Sequence, residues 1–271
     1  MKAYVEKLWV RRLVSLLVLA ALWEVLARLG IINPFYAPAP SEILRVVFSL
    51  FAEGTILGHL QATFSAALAG LAIGLALGIV LGFAAALIPL LADILEPIMM
   101  LLNAIPRVIL APLFVIWLGI ELPSKIALAV VLVAVLIFFA VYSGIRDVNQ
   151  LLVDRVRTLG GGRLVLLREV YIPSVTAWVL GSLKVAVGFA FTGAVVGEFV
   201  AATRGLGYLL QFAQSTYNAA LTMGLIFLIM TFVLVLFMGA EAVERRLLRW
   251  RYRGADQDAG RQLNHSLKGR S

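Results

Sequence analysis

The sequence contains no cysteine and only two histidines, His59 and His265, far apart along the chain. Disulfides and thiolate chemistry are excluded, and a His-rich metal site has no support. Charge is also scarce: Asp, Glu, Lys and Arg make up 14% of the residues against 62% hydrophobic. With a mean hydropathy of +0.99, there is too little polar material to clothe a water-soluble core. The pattern Gly-x-x-x-x-Gly-Lys-Ser/Thr is missing, so the chain has no phosphate-cradling loop of that kind. A membrane-embedded enzyme would need His, Asp, Glu or Cys gathered at one depth, and no such cluster is found. The main alternative to a multi-subunit machine, a stand-alone secondary transporter, would carry an inverted repeat and paired intramembrane acids, and it too lacks its signature. No cofactor is required.

What is there in abundance is apolar sequence. Six stretches, 13–30, 60–88, 98–120, 124–144, 177–200 and 221–240, approach or exceed the roughly 20 residues that cross about 30 Å of hydrocarbon as a helix. They are continuously apolar rather than alternating, which excludes a membrane β-barrel. The expected fold class is all-α and polytopic, with about six transmembrane helices. Of the 23 basic residues, four fall in 1–12, five in 145–175 and eight in 241–271. Lys and Arg gather on the cytoplasmic side, so both termini are expected in the cytoplasm and the protein in the inner membrane as a multi-pass chain. The net charge of +8 is explained by this placement, and no nucleic-acid partner is implied.

The expected organisation is a cytoplasmic N-terminus over 1–12, a transmembrane domain over 13–253 and a disordered cytoplasmic tail over 254–271. Lys2, Lys7, Arg11 and Arg12 ahead of an apolar run imitate a signal peptide, and Ala37-Pro38-Ala39 imitates its cleavage site. Pro40 and the distance from the apolar run argue against cleavage. Residues 31–59 form the expected periplasmic segment, where Ser41 can cap a short amphipathic helix starting at Glu42. Trp250 among five arginines reads as an anchor on anionic membrane lipid.

Several residues stand out against this apolar background. Gly70, Gly74, Gly78 and Gly82 continue a stripe from Ala62 and Ala66 to Ala86, one small residue every fourth position. Such a stripe is a helix-packing surface that lets a neighbouring backbone come close. Pro106 and Pro112 each remove a backbone donor, so the third span should kink or break and can wall a pathway. Arg107, Lys184 and Glu198 are candidate pathway residues, since charge within hydrocarbon is costly. Arg107 can attract an anion or pair with carbonyls of a neighbouring helix. Lys184 can face the pathway or snorkel to the interface. Glu198 can shape an outer gate, or rest in interfacial water.

The longest internal polar stretch, 145–175, reads as helix, turn, helix. Asp147 or Asn149 can cap it, Leu152, Val156 and Leu159 recur at helical spacing, and Gly160-Gly161-Gly162 interrupts it. Spacing alone leaves two readings open, a basic connecting loop or a handle gripped by a soluble partner. Asp154-Arg155-Val156-Arg157-Thr158-Leu159-Gly160 followed by Ile172-Pro173 resembles the cytoplasmic "EAA" loop of ABC importer permeases. Gly160 and Pro173 match, Asp154 replaces the acid, and Arg155 and Val156 depart from the two alanines. Trp23-Glu24, Pro38 to Glu42, Ile105 to Gly119 and Glu198 with Gly205 to Tyr208 are similar to the nitrate/sulfonate/taurine branch of that family.

The resemblance spans nearly the whole chain and implies a MetI-like fold. It also implies a permease that transports a small polar or anionic organic solute and is not itself an enzyme. The implied partners are a second copy of the chain, two ATP-binding subunits and a periplasmic or lipoprotein substrate-binding protein. Asp154, Arg155, Val156, Arg157, Leu159, Gly160 and Pro173 would then form the contact that couples ATP hydrolysis to transport.

Overall fold

Lipid offers no partner to a backbone amide, so each long apolar run satisfies its own amides as a helix. The computed structural model describes residues 2–247, and the side chains of 2–9, Leu13 and Arg107 lie outside that description. The expected tail over 254–271 and the Trp250 anchor also lie outside the described residues. In chain order the helices are α1 (Lys2–Arg28), α2 (Pro40–Ala52), α3 (Thr55–Leu87), α4 (Pro89–Ala104), α5 (Arg107–Leu118) and α6 (Leu122–Arg146). They continue as α7 (Gln150–Thr158), α8 (Arg163–Leu166), α9 (Ile172–Val200), α10 (Leu206–Ser215) and α11 (Ala219–Leu247). The described residues contain no strand.

The all-α, polytopic fold is as expected, with four or five spans evident from length and composition. Among the described residues four helices are long and apolar enough to cross a membrane: α3, α6, the continuous run Arg163–Val200 and α11. α4 and α5, bent by 109° at their junction, make a fifth if the pair is one broken span. Pro106 sits at that break and has no amide to continue the ladder, whereas Pro112 is carried inside α5. The apolar stretch of α1 is bracketed by Arg11 and Arg12 at one side and Glu24 and Arg28 at the other, so α1 carries more charge than those four helices.

The glycine stripe has a definite partner. A Cβ on Gly74 would lie 2.6 Å from Val133 Cβ, one on Gly78 2.7 Å from Ile137 Cβ, and one on Gly82 2.7 Å from Val141 Cβ. At Gly70 it would collide with Ala129. Both helices advance four residues per contact in the same chain direction, so α3 and α6 run parallel and touch along about 18 Å. Hydrophobic burial cannot drive this pairing in lipid, so close van der Waals contact along the seam replaces it. α9 packs on another side of α6 in the antiparallel sense: Gly193 abuts Ala129, Gly197 abuts Lys125 and Trp178 abuts Gly144. α6 is consequently the most enclosed of the four long helices.

Two local expectations change. The helix after the glycine triplet does not end before the fifth span but flows into it, making one run of 38 residues, Arg163–Val200. A π turn over Leu167–Tyr171 precedes Pro173, with Ile172 N bonded to Leu167 O, and its wider winding admits a proline that an α-helix interior would resist. The cap of α2 comes from elsewhere than Ser41: Glu24 of α1 accepts Ser41 N at 2.9 Å and Ser41 Oγ at 2.7 Å, while Arg28 Nε holds the same carboxylate at 2.6 Å. Two motifs that are distant in sequence, Trp23-Glu24 and Pro40-Ser41, thus form one joint.

Candidate functional site

α7 hangs from the end of α6 on a short turn. Asn149 caps it, its side chain accepting Leu151 N at 2.9 Å. At the other end Gly160 takes φ +80, and Gly161 N reaches Val156 O while Gly160 N reaches Arg157 O, both at 2.9 Å. This pair of bonds is the Schellman motif, which needs a left-handed residue at the position Gly160 fills. The chain can then double back into α8. Val148, Val153, Leu166 and Val170 close into a small apolar cluster, flanked by Val156 and Tyr171. Ser174 Oγ donates to Gly144 O at 3.0 Å and ties the base of α9 to α6. The hairpin is therefore a folded unit fixed to two long helices.

The three residues read at helical spacing do not share one buried face. Val153 and Val156 turn inward, while Leu152 and Leu159 turn out. Leu151, Leu159 and Leu164 are 74%, 81% and 77% exposed, and Asp154, Arg155 and Arg157 are exposed beside them. An apolar crest with charges along it suits a protein partner better than water. Beside it lies a cavity of about 700 Å³ lined in part by Asp147, Asn149, Leu152, Glu169, Pro173 and Trp178. Nearby, Tyr142 donates to Glu96 of α4 at 2.9 Å and accepts from Arg146 at 3.0 Å, so the same end of α6 also holds α4.

The three candidate pathway residues are not brought together. Arg107 opens α5 at the 109° break, and its side chain lies outside the described residues. Lys184, on α9, lies 3.6 Å from Glu241 of α11 and faces the Phe237 ring at 5.7 Å; Glu241 also binds Arg245 at 2.5 Å. Glu198 lies about 21 Å further along α9.

Glu198 is not an interfacial residue in water: it is buried. Its Oε2 accepts Thr63 Oγ1 at 2.8 Å and Gly207 N at 2.9 Å, and Thr63 Oγ1 in turn accepts Leu206 N at 2.9 Å. Gly205, at φ +125, passes so close that a Cβ there would overlap the Glu198 carboxyl group. His59 accepts Gly205 N on Nδ1 at 3.0 Å and stacks on Tyr208. Lys125 is buried alongside, donating to Ile120 O, to Ala201 O at 2.6 Å and to Ser124 Oγ at 3.3 Å. Sequence reading missed His59, Thr63 and Lys125; the signal that could have found Lys125 is a lysine one turn inside an apolar span.

An all-α bundle of long apolar helices, with one sharply bent pair and an exposed hairpin at one end, defines a polytopic membrane protein. The chain belongs to the family described as binding-protein-dependent transport system inner membrane component, whose model matches residues 74–249. It is the permease subunit of an ABC importer, an inner-membrane protein and not an enzyme. It is 30% identical over 241 residues to the taurine transport system permease protein TauC of Escherichia coli, covering 87% of this chain and 88% of that one. It is 35% identical over 237 residues to the riboflavin transport system permease protein RibX of Chloroflexus aurantiacus, with 88% of each chain covered. Among solved structures it resembles an amino acid ABC transporter with a TM-score of 0.60 and 16% identity, over 73% of this chain and 97% of that one. It also resembles the MetNI methionine ABC transporter in an inward-facing form, with a TM-score of 0.55 and 21% identity, over 70% and 93%. Permeases of this family work with ATPase subunits and binding proteins.

Proposed function

We propose that two copies of this chain form the translocation pathway for a small polar or anionic organic solute, with taurine, another sulfonate or nitrate as the leading class. Each copy is gripped at α7 by one of two ATP-binding subunits and served at the opposite end by a substrate-binding protein. The substrate class is supported by relatives named for taurine and aliphatic sulfonates, while the riboflavin and formylaminopyrimidine permeases keep larger heterocycles within reach. Both termini and α7 lie in the cytoplasm in this reading, in keeping with the placement of basic residues.

The observation that carries the reading is the α7–α8 hairpin: an internal apolar cluster makes it a folded unit, and its outer leucines are left uncovered. Closure of the ATPases on ATP pushes Asp154, Arg155, Arg157 and Leu159. Gly160 shapes the turn, Val156 seats the helix, and Pro173 lies at the base through which the push enters α9. Alternating access follows, outward-facing with ATP bound and inward-facing after hydrolysis. Because Leu159 is exposed, Leu159→Glu should leave folding intact and lower recovery of the ATPase in co-purification by about tenfold, a loss of roughly 1.4 kcal/mol. Undiminished co-purification would refute the grip at α7.

A further inference from the structure

Two opposite charges are buried at the end of the bundle remote from α7. Lys125 is 3% exposed and Glu198 2%, and both line one cavity of about 320 Å³. Lys125 is not free to hold a solute by its own valence, and Glu198 is tied through one oxygen, Oε2. An ammonium group has three donors, and those of Lys125 go to Ile120 O, Ser124 Oγ and Ala201 O. The Glu198 carboxylate is held by Thr63 of α3 and by the amide of Gly207 at the start of α10.

These bonds add polar ties between segments that Ala66, Phe191, Ala194 and Leu206 also pack together. Lys125, on α6, reaches the turn after α5 and the carbonyl of Ala201, just past the end of α9. Glu198, on α9, reaches α3 and α10. Thr63 extends the chain of contacts to Leu206 N, and His59 extends it to Gly205 N. A buried charge stripped of its counter-charge is strongly unfavourable, whereas a pair replaced together by neutral groups is often tolerated. Lys125 and Glu198 make no direct ion pair, but they line the same cavity with opposite sign, so each offsets the other's charge while touching different segments.

We infer that Lys125 and Glu198 are positioning residues of the transport pathway. They form a charge-compensated clasp that fastens the α5–α6 turn, the α9–α10 turn and α10 into one rim carried by α3, α6 and α9. The rim then travels with the body that α7 drives. Only this last consequence rests on the importer cycle set out under Proposed function; the clasp itself is a property of the single chain.

The absence of cysteine allows a direct test. Nitroxides are placed by Val80→Cys and Thr203→Cys on the full chain, in lipid nanodiscs and diluted with unlabelled chain. Val80 is 63% exposed on α3, about 26 Å along the axis from Thr63, and Thr203 is exposed in the α9–α10 turn. The clasp predicts one narrow distance distribution. Lys125→Met or Glu198→Gln alone should broaden it about twofold, and the double variant should restore most of the narrowness. Thr63→Val should broaden it as well, while Thr63→Ser should not, and this pair decides the matter if the charge variants do not fold. Single variants as narrow as wild type, or a double variant broader than either single one, would overturn the clasp. In the complex with the ATPase trapped by ATP and vanadate, an unchanged Val80–Thr203 distance supports a rim that moves with the body. A shifted distance contradicts it, whatever the partner does at α7.

Discussion

At the α7 end of the bundle, four aliphatic side chains, Val148, Val153, Leu166 and Val170, hold the hairpin, and the space around Gly160 and Gly162 is open. At the opposite end the fastening is polar and crowded: Lys125, Glu198, Thr63 and His59 bind backbone groups of the turns, and Gly205 and Gly207 have no room for a side chain. An aliphatic cluster tolerates small displacements because dispersion has no direction. A set of buried hydrogen bonds does not, because each unmet group carries its full desolvation cost. The driven end can therefore yield to a partner while the far end keeps its shape.

Gly205→Ala should produce the largest effect. It puts a side chain at φ +125 and into the Glu198 carboxyl group, a combination of strain and overlap costing about 3 kcal/mol or more. The expected result is a large drop in thermal midpoint in detergent, and an unchanged midpoint would break the contrast between the two ends. Val153→Ala comes next. It removes about 2 kcal/mol from the hairpin cluster by lost burial and a small cavity. Limited proteolysis should then cut between residues 147 and 163 well before the rest of the chain opens.

The smallest effects separate two neighbouring glycines. Gly160→Ala should cost about 1 kcal/mol because its backbone is left-handed. Gly162→Ala, at φ −78 with nothing within 4 Å, should stay within about 0.5 kcal/mol. Equal thermal midpoints for the two variants would argue against the Schellman turn.

Much of the architecture is legible in the residues, for identifiable reasons. Lipid removes most folding options, so long apolar runs become helices, and an i+4 glycine stripe can only be a close-packing surface. The stripe does not reveal its partner, because Ala129, Val133, Ile137 and Val141 look like any apolar helix. The helix over Arg163–Val200 is illegible at Pro173, since a π turn that admits proline leaves no compositional mark. Glu198 is misread for another reason. Its partners Thr63 and Gly207 lie far away or beyond a turn, so a carboxylate near a span end looks like one at the water surface. The joint between Glu24 and Ser41 and the node at Gly205 to Tyr208 are visible in sequence only as resemblances, and their physics appears when the segments meet. The grip proposed at α7 is legible as a pattern, although Leu152 and Leu159, which share helical spacing with Val156, face outward.

The central claim is that α7 is a cytoplasmic handle for an ATP-driven partner. In the otherwise cysteine-free chain, Leu151→Cys supplies a single exposed thiol on α7, assembled with the ATPase in native membranes. A membrane-impermeant maleimide should leave it unlabelled in intact cells, label it in inverted vesicles, and be blocked there when the ATPase is bound. Labelling of Leu151→Cys from outside intact cells would contradict the account.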